Sequence, residues 1–167
     1  MLETKQKGLV VELECITYLY KLGYQVSTPY GENSRYDLIV DINGKLIRIQ
    51  CKSCVLGGDG DFIHFRCVSV RKNTQKTRRR KYTSEEIDYF ATYYDSQCYL
   101  VPVKECSTEK SLRFNPPKNG QRKGISFAED YTAEKQIEKI LNEKWALWTK
   151  AKVLSSSLRG SSKKQEK

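Results

Sequence analysis

The chain has 167 residues and carries 30 basic and 20 acidic side chains, a net charge of +10 at neutral pH. It is long enough for one domain with a core, and the absence of an 18-residue apolar run predicts that no helix spans a membrane. We expect no membrane partner. The first residues, MLETKQKG, lack the apolar stretch of a signal peptide. We therefore expect a cytoplasmic protein whose six cysteines are free thiols in a reducing compartment.

The positive charge is concentrated in two short segments. Residues 71–81, RKNTQKTRRRK, hold seven basic and no acidic side chains, and residues 150–167 hold six basic and one acidic. The rest of the chain is nearly neutral, with 17 basic and 19 acidic side chains. For residues 71–81 this concentration favours a nucleic-acid partner. Residues 150–167 are Ser-, Lys- and Gly-rich, which predicts a disordered, solubilising tail after a single domain over residues 1–149.

An amphipathic helix is predicted over residues 3–22, with Gly23 as the residue that ends it. Its apolar residues spread over one broad face at about 100° per residue: Leu9, Leu13, Cys15, Ile16, Leu19, Tyr20 and Leu22. Glu12 falls near the middle of this face. Because burying an unpaired carboxylate is costly, Glu12 points at a metal site, pairs with a core lysine, or lies at the helix edge in solvent.

Residues 36–52, YDLIVDINGKLIRIQCK, predict a β-hairpin. Two runs of alternating apolar and polar residues flank Asn43 and Gly44, which form the strongest short signal for a two-residue hairpin turn. With these two residues at the turn, Leu38 faces Ile49 across the hairpin. Side chains alternate between the two faces of a strand, so one face of the hairpin is apolar and belongs to a core.

The opposite face of the hairpin carries Asp37, Gln50 and Lys52. The predicted register places Asp37 directly opposite Gln50, and opposed residues have Cβ atoms roughly 5 Å apart. Their side-chain oxygens can therefore share one divalent cation, with the ammonium of Lys52 close by. Cys51 and Cys54 have the spacing of metal ligands, but no second pair follows, and Cys51 falls on the apolar face as a buried small hydrophobe.

The remaining chain alternates between strands, loops and helices. The predicted segments are a third strand over 62–71, a basic loop over 71–81, a helix capped by Thr83 or Ser84 and running to Tyr94, a fourth strand over 97–103, a polar loop over 115–123 and a last helix from Thr132. This order predicts an α/β fold in which a mixed central β-sheet is flanked by helices.

The hairpin resembles the active-site motif of the PD-(D/E)XK nuclease superfamily, an acidic residue on one strand followed by Asp/Glu-any-Lys on the next. Here Tyr36-Asp37 is followed by Gln50-Cys51-Lys52. Tyr36 replaces the usual proline, and Gln50 replaces the usual acid, which removes a charge from the metal site. Lys7-Gly8 and Glu12 resemble the superfamily's first-helix acid.

Three later segments, residues 87–90, 98–103 and 115–119, resemble the branch that includes homing endonucleases encoded in group I introns. One tetrameric member of that branch has the same exchange of acid for Gln. The likeness covers residues 1–148 and implies a restriction-endonuclease-like core. It also implies hydrolysis of phosphodiester bonds in double-stranded DNA.

The resemblance implies the roles of the site residues. Asp37, the side-chain oxygen of Gln50 and the backbone carbonyl of Cys51 would bind the metal, and Mg²⁺ suits such hard oxygens. Lys52 would orient the attacking water or stabilise the pentavalent phosphorus, and Glu12 would restore part of the missing negative charge. The catalytic set is therefore Glu12, Asp37, Gln50 and Lys52.

The basic residues near this hairpin predict the DNA-contacting surface, because Lys pairs with phosphate and Arg can read guanine. The residues are Arg71, Lys72, Lys76, Arg78, Arg79, Arg80, Lys81, Lys118, Arg122 and Lys123. One small domain has one active site, and cutting both strands of a long site usually needs two. We therefore expect a homodimer or homotetramer.

Several functions share these features. The most specific is a metal-dependent, site-specific homing endonuclease. A restriction-type or Holliday-junction-resolving nuclease would have the same hairpin, and a non-catalytic DNA-binding module could have lost its acid at Gln50. His64 is the only histidine, which excludes a His-based ββα-metal nuclease, and no LAGLIDADG or GIY-YIG sequence occurs.

Overall fold

The computed structural model describes residues 4–31, 33–58, 60–73, 76–117, 120–121 and 123–146. The predicted basic tail at 150–167 lies outside these ranges. The described elements, in chain order, are α1 (Thr4–Lys21), β1 (Gln25–Ser27), β2 (Leu38–Ile42), β3 (Lys45–Cys51), β4 (Val55–Gly57), β5 (Phe62–Arg66), β6 (Val68–Asn73), β7 (Lys76–Lys81), β8 (Tyr89–Tyr94), β9 (Gln97–Pro102), β10 (Glu109–Arg113) and α2 (133–146). In this part of the chain no helix is both long and apolar enough to cross a membrane.

A five-stranded sheet with the strand order β1-β2-β3-β8-β9 forms the centre of the molecule. Strands β3 and β8 pair in parallel and the other neighbours pair antiparallel, so the predicted mixed sheet is confirmed. Two smaller units accompany it. They are a three-stranded sheet, β10-β5-β4, and a two-stranded hairpin, β6-β7.

Apolar side chains cover both faces of the central sheet. One core lies between the sheet and the two helices and includes Cys15, Leu19, Leu38, Ile49, Ile137 and Ile140. The second core lies between the sheet and strands β5 and β10 and includes Ile63, Phe65, Phe90, Val101 and Leu112. Strand β3 contributes Ile47, Ile49 and Cys51 to the first core, which anchors the end of the strand where the motif residues lie.

The β2–β3 hairpin has the predicted register. Leu38 pairs with Ile49, and Ile42 pairs with Lys45 next to the turn. Asn43 and Gly44 both have positive φ, 53° and 83°, which is the backbone that a two-residue turn of this twist requires. Cys51 is buried as predicted, and all six cysteines are free thiols.

The predicted helix from Thr83 or Ser84 to Tyr94 is wrong. A turn, in which the amides of Glu86 and Ile87 donate to the carbonyl of Thr83, leads directly into strand β8. The sequence Tyr89–Tyr94 is rich in aromatic residues, which favour strands. Pairing with β3 on one side and β9 on the other then outweighs the helix-start signal.

The predicted third strand and basic loop also differ from the structure. Residues 62–71 form parts of two strands, β5 and β6, which break at Cys67 and belong to different sheets. Residues 71–73 and 76–81 lie in the paired strands β6 and β7 instead of a loop. Every described side chain of β7 is exposed, so no apolar alternation was available to indicate a strand.

Helix α1 buries a narrower face than predicted. Val11 and the fully buried Cys15 and Leu19 form an i, i+4 stripe against the sheet. Leu9 and Leu13, both expected on the buried face, are 57% and 53% exposed, and Tyr20 is similarly exposed. The helix therefore presents apolar side chains to its surroundings.

Candidate active site

Asp37 lies at the start of β2, where it contacts the end of β3. Its backbone amide donates to the carbonyl of Ile49 at 2.8 Å, and its Oδ2 accepts a hydrogen bond from the amide of Cys51 at 2.8 Å. The same Oδ2 accepts a hydrogen bond from Nε2 of Gln50. Hairpin pairing thus brings Asp37 and Gln50 into direct contact.

The Gln50 carboxamide joins two of the oxygens that the sequence assigns to a metal site. Its Nε2 donates to Asp37 and lies 3.3 Å from the carbonyl oxygen of Cys51. Since one donor atom contacts both oxygens, these oxygens converge on one position. The Gln50 side chain is only 8% exposed, so the amide fills that position away from bulk solvent. A half-turn of the amide exchanges Nε2 for Oε1 and would place a third oxygen beside the Asp37 carboxylate and the Cys51 carbonyl.

Glu12 lies beside Asp37 although the two residues belong to different elements. Both line one open cleft of about 230 Å³, with Thr28, Pro29, Gly31, Ser34 and Tyr36. Burial raises the pKa of Glu12, and the negative charge of Asp37 raises it further. The α1 helix therefore brings a second carboxylate to the same cleft, as the sequence predicts.

Lys52 follows β3, and its amide donates to the carbonyl of Ala91 at 2.8 Å. Its Nζ donates to the hydroxyl of Tyr82 at 3.2 Å and lies 5.0 Å from the centroid of that ring. The positive charge of Lys52 acts to lower the pKa of both Asp37 and Glu12. Asp37 therefore interacts with each of the other three residues of the predicted catalytic set, Glu12, Gln50 and Lys52.

A model of the PD-(D/E)XK endonuclease family matches residues 2–134. The chain belongs to the PD-(D/E)XK endonuclease family. Among solved structures, the bacterial homing endonuclease I-Ssp6803I is similar, with 25% sequence identity and a TM-score of 0.69. That match covers 87% of this chain and 97% of the other. A comparison with curated proteins found no match. The relationship and the restriction-endonuclease-like fold predicted from the sequence are thus confirmed.

The donor set of this PD-(D/E)XK endonuclease suits a hard cation. Members of the family usually use divalent metals. Within the described ranges, no group of three or more His, Cys, Asp or Glu side chains is arranged for a metal ion. The set consists instead of the Asp37 carboxylate, the Gln50 amide and the Cys51 carbonyl, with the Glu12 carboxylate in the adjoining cleft. All are oxygen donors, which Mg²⁺ prefers, so the residues fit the ion.

The predicted DNA-contacting residues of the PD-(D/E)XK endonuclease fall mainly on the β6–β7 hairpin. Exposed basic side chains follow one another along β7: Lys76, Arg78, Arg79, Arg80 and Lys81. Arg80 is also paired with Glu86, although its side chain is still 69% exposed. Lys123 is exposed, whereas Lys118, Arg122 and the side chains of Arg71 and Lys72 lie outside the described part of the structure.

The sequence analysis missed Arg35, Tyr82 and Glu86. Arg35 forms an ion pair with Glu86 at 3.1 Å, and its guanidinium carbon lies 3.9 Å from the Tyr82 ring centroid. Arg35 is two residues before Asp37, and Tyr82 directly follows the basic segment. No local spacing predicts their contact, because it joins residues 47 positions apart in the chain.

The pKa of Asp37 predicts how stability depends on pH. Burial raises this pKa, and it outweighs the lowering by the Cys51 amide, the charge of Lys52 and the Gln50 amide. A carboxyl whose pKa is raised by folding contributes stability below its unfolded pKa, about 4, and that contribution is lost as the pH rises through the folded value. Asp37→Asn should therefore unfold at a higher temperature than wild type at pH 8 without metal. The difference should shrink toward pH 4, and a less stable variant at pH 8 would contradict this interpretation.

Substitutions of Gln50 test whether its amide binds metal. Gln50→Ala removes the oxygen and should weaken Mg²⁺ binding by roughly tenfold or more, measured by calorimetry. Gln50→Glu places two carboxylates together, so Mg²⁺ should raise its unfolding temperature more than it raises that of wild type. Wild-type Mg²⁺ affinity in the alanine variant would show that the amide has no part in binding.

Proposed function

We propose that this chain is a Mg²⁺-dependent, site-specific endonuclease of double-stranded DNA, of the intron-encoded homing type. The observation that carries the proposal is the convergence of Asp37, Gln50 and the Cys51 carbonyl at the end of β3. Lys52 follows on the same strand. The chain's family is one of endonucleases, and a bacterial homing endonuclease is structurally similar over most of both chains.

Each residue of the proposed site has its own role in hydrolysis of the phosphodiester bond. Asp37, the Gln50 oxygen and the Cys51 carbonyl would hold Mg²⁺, which when bound makes water nucleophilic near neutral pH and neutralises phosphate charge. Glu12 adds the second carboxylate in the cleft and holds an attacking water beside Asp37. Lys52 directs its ammonium to that water or to the phosphate oxygens, where negative charge develops during displacement.

The β6–β7 hairpin is the proposed DNA-binding element. A two-stranded ribbon fits the major groove of B-form DNA, and β7 exposes Lys76, Arg78, Arg79 and Lys81 along its length. A single residue, Cys67, separates the hairpin from β5, which packs in the second core with Tyr82. We place the catalytic domain at residues 1–149, and residues 150–167 act as a dispensable basic extension.

Cleavage of both DNA strands at a long site usually needs two active sites, so we propose a homodimer or homotetramer. The apolar side chains that α1 leaves exposed, Leu9, Leu13 and Tyr20, support this assembly. Large apolar patches on the surface of a soluble protein commonly mark the sites where it binds another protein chain. Equilibrium sedimentation of the purified chain would measure the state directly.

The proposal is tested by giving the protein a choice of DNA substrates. The full chain with Mg²⁺ is incubated with long duplexes of mixed sequence and, separately, with four-way junctions. A homing enzyme cuts duplex at one rare, long sequence, which sequencing of the new ends reveals. Cutting at frequent short sequences would indicate a restriction-type enzyme, and cutting confined to junctions a resolving enzyme. Binding without cutting would indicate a DNA-binding module.

A further inference from the structure

Lys52 is held by an aromatic residue from outside the active-site hairpin. The hydroxyl of Tyr82 accepts a hydrogen bond from Nζ of Lys52 at 3.2 Å, and the ring centroid lies 5.0 Å from the same nitrogen. These two distances place Nζ at the hydroxyl end of the ring. A lysine side chain has four flexible bonds, so this contact restricts where the ammonium can lie. Tyr82 is half-buried, and its ring meets Phe90 edge-on at 5.3 Å.

The Tyr82 ring is in turn fixed by Arg35. The guanidinium carbon of Arg35 lies 3.9 Å from the ring centroid, the distance of a cation–π stack. The same guanidinium donates to Oγ of Ser69 on β6 at 3.0 Å and to the carbonyl of Lys81 on β7 at 3.1 Å. Arg35 therefore contacts both strands of the β6–β7 hairpin where that hairpin leaves the core.

We propose that Tyr82 is a positioning residue for Lys52, and that Arg35 fixes Tyr82 relative to the β6–β7 hairpin. The arrangement links three parts of the molecule: the element proposed to grip DNA, the stacked Arg35 and Tyr82 side chains, and the ammonium beside the metal-binding oxygens. DNA held by the hairpin is then in a defined register with Lys52. This inference rests on the proposed endonuclease function.

The first test separates catalysis from binding. Tyr82→Phe keeps the ring, the Phe90 contact and the Arg35 stack, and removes only the hydroxyl. The single-turnover rate of DNA cleavage should fall about tenfold, as expected for one lost hydrogen bond to a charged group, with unchanged DNA affinity. Tyr94→Phe is the matched control. Tyr94 lies in the same core as Tyr82 and stacks on Phe114 at the far end of β8 from Phe90, so the Tyr94→Phe variant should cleave DNA at the wild-type rate.

A second measurement does not depend on cleavage. In a proton–carbon correlation spectrum of the metal-free protein, the Lys52 side-chain signal is assigned by its loss in Lys52→Arg. Ring proximity should shift this signal away from those of exposed lysines. Tyr82→Leu should return it to their position, and Tyr94→Phe should leave it unchanged.

The outcomes separate this inference from the proposed function. If wild type cuts DNA and the Tyr82→Phe variant cuts it at the same rate, the positioning role is overturned and the proposed endonuclease function stands. A Lys52 signal that coincides with exposed lysines in wild type also overturns it. Wild-type protein that does not cut DNA overturns the proposed function, and the spectrum alone then decides whether Tyr82 holds Lys52.

Discussion

Replacing Asp37 with asparagine should lower the single-turnover rate of DNA cleavage by about a thousandfold or more, with DNA affinity nearly unchanged. The substitution keeps the size of the side chain and an oxygen that can accept from the Cys51 amide. It removes the negative charge beside Gln50 and the Cys51 carbonyl, which is the only full charge among the three proposed metal oxygens. Lys52→Ala should also abolish cleavage while DNA binding survives, because it removes the ammonium.

The matched control for this prediction is Asp41→Asn. Asp41 lies on the same strand, near the turn, where its Oδ1 accepts a hydrogen bond from the Gly44 amide at 2.6 Å. The Asp41→Asn variant also loses one negative charge from the β2–β3 hairpin but leaves the proposed site unchanged, so its cleavage rate should match that of wild type. Full activity in Asp37→Asn, with Mg²⁺ present, would remove the proposed mechanism.

Replacing Arg78, Arg79 and Arg80 together with glutamine should weaken DNA binding steeply at low salt. Each lost phosphate contact reduces the slope of log affinity against log salt by roughly 0.9, so three contacts would reduce it by about 2.7. In the structure Arg80 is paired with Glu86, so a phosphate contact of Arg80 would have to compete with this ion pair. Arg78→Gln with Arg79→Gln should therefore account for most of the change. Equilibrium binding titrations at several salt concentrations measure it.

Two controls accompany these titrations. Lys135, Lys139 and Lys144 are exposed on α2, and changing all three to glutamine removes the same net charge away from the β6–β7 hairpin. Deleting residues 150–167 removes the basic tail. Both changes should alter the salt slope much less than the arginine variant. A large effect of the tail deletion, with no effect of the arginine variant, would mean that the tail is the DNA-binding segment.

The β2–β3 hairpin could be predicted because its information is local. Asn43 and Gly44 set the turn, alternation sets the faces, and together they fix the contact between Asp37 and Gln50 before any tertiary structure is known. Helical spacing put Glu12 on the inward side of α1, and in the structure it lines a cleft with Asp37. These inferences need only the periods of a helix and a strand.

The parts that could not be predicted depend on distant contacts. A helix-start signal at Thr83 precedes strand β8, and only the pairing of β8 between β3 and β9 decides its conformation. Tyr82 and Arg35 meet because β7 returns to the core beside the motif, which no local pattern indicates. The orientation of the Gln50 amide depends on which oxygens surround it, and those oxygens come from both strands.

The central claim is that the oxygens gathered at the end of β3 support metal-dependent hydrolysis of DNA. The most direct measurement is cleavage of long duplex DNA by the wild-type chain, in excess over DNA, with Mg²⁺ or with a chelator. We predict discrete duplex fragments with Mg²⁺, intact DNA with the chelator, and restored cleavage when Mg²⁺ is added back. DNA that is bound by the protein yet stays intact with Mg²⁺, or that is cut equally well in the chelator, would contradict the claim.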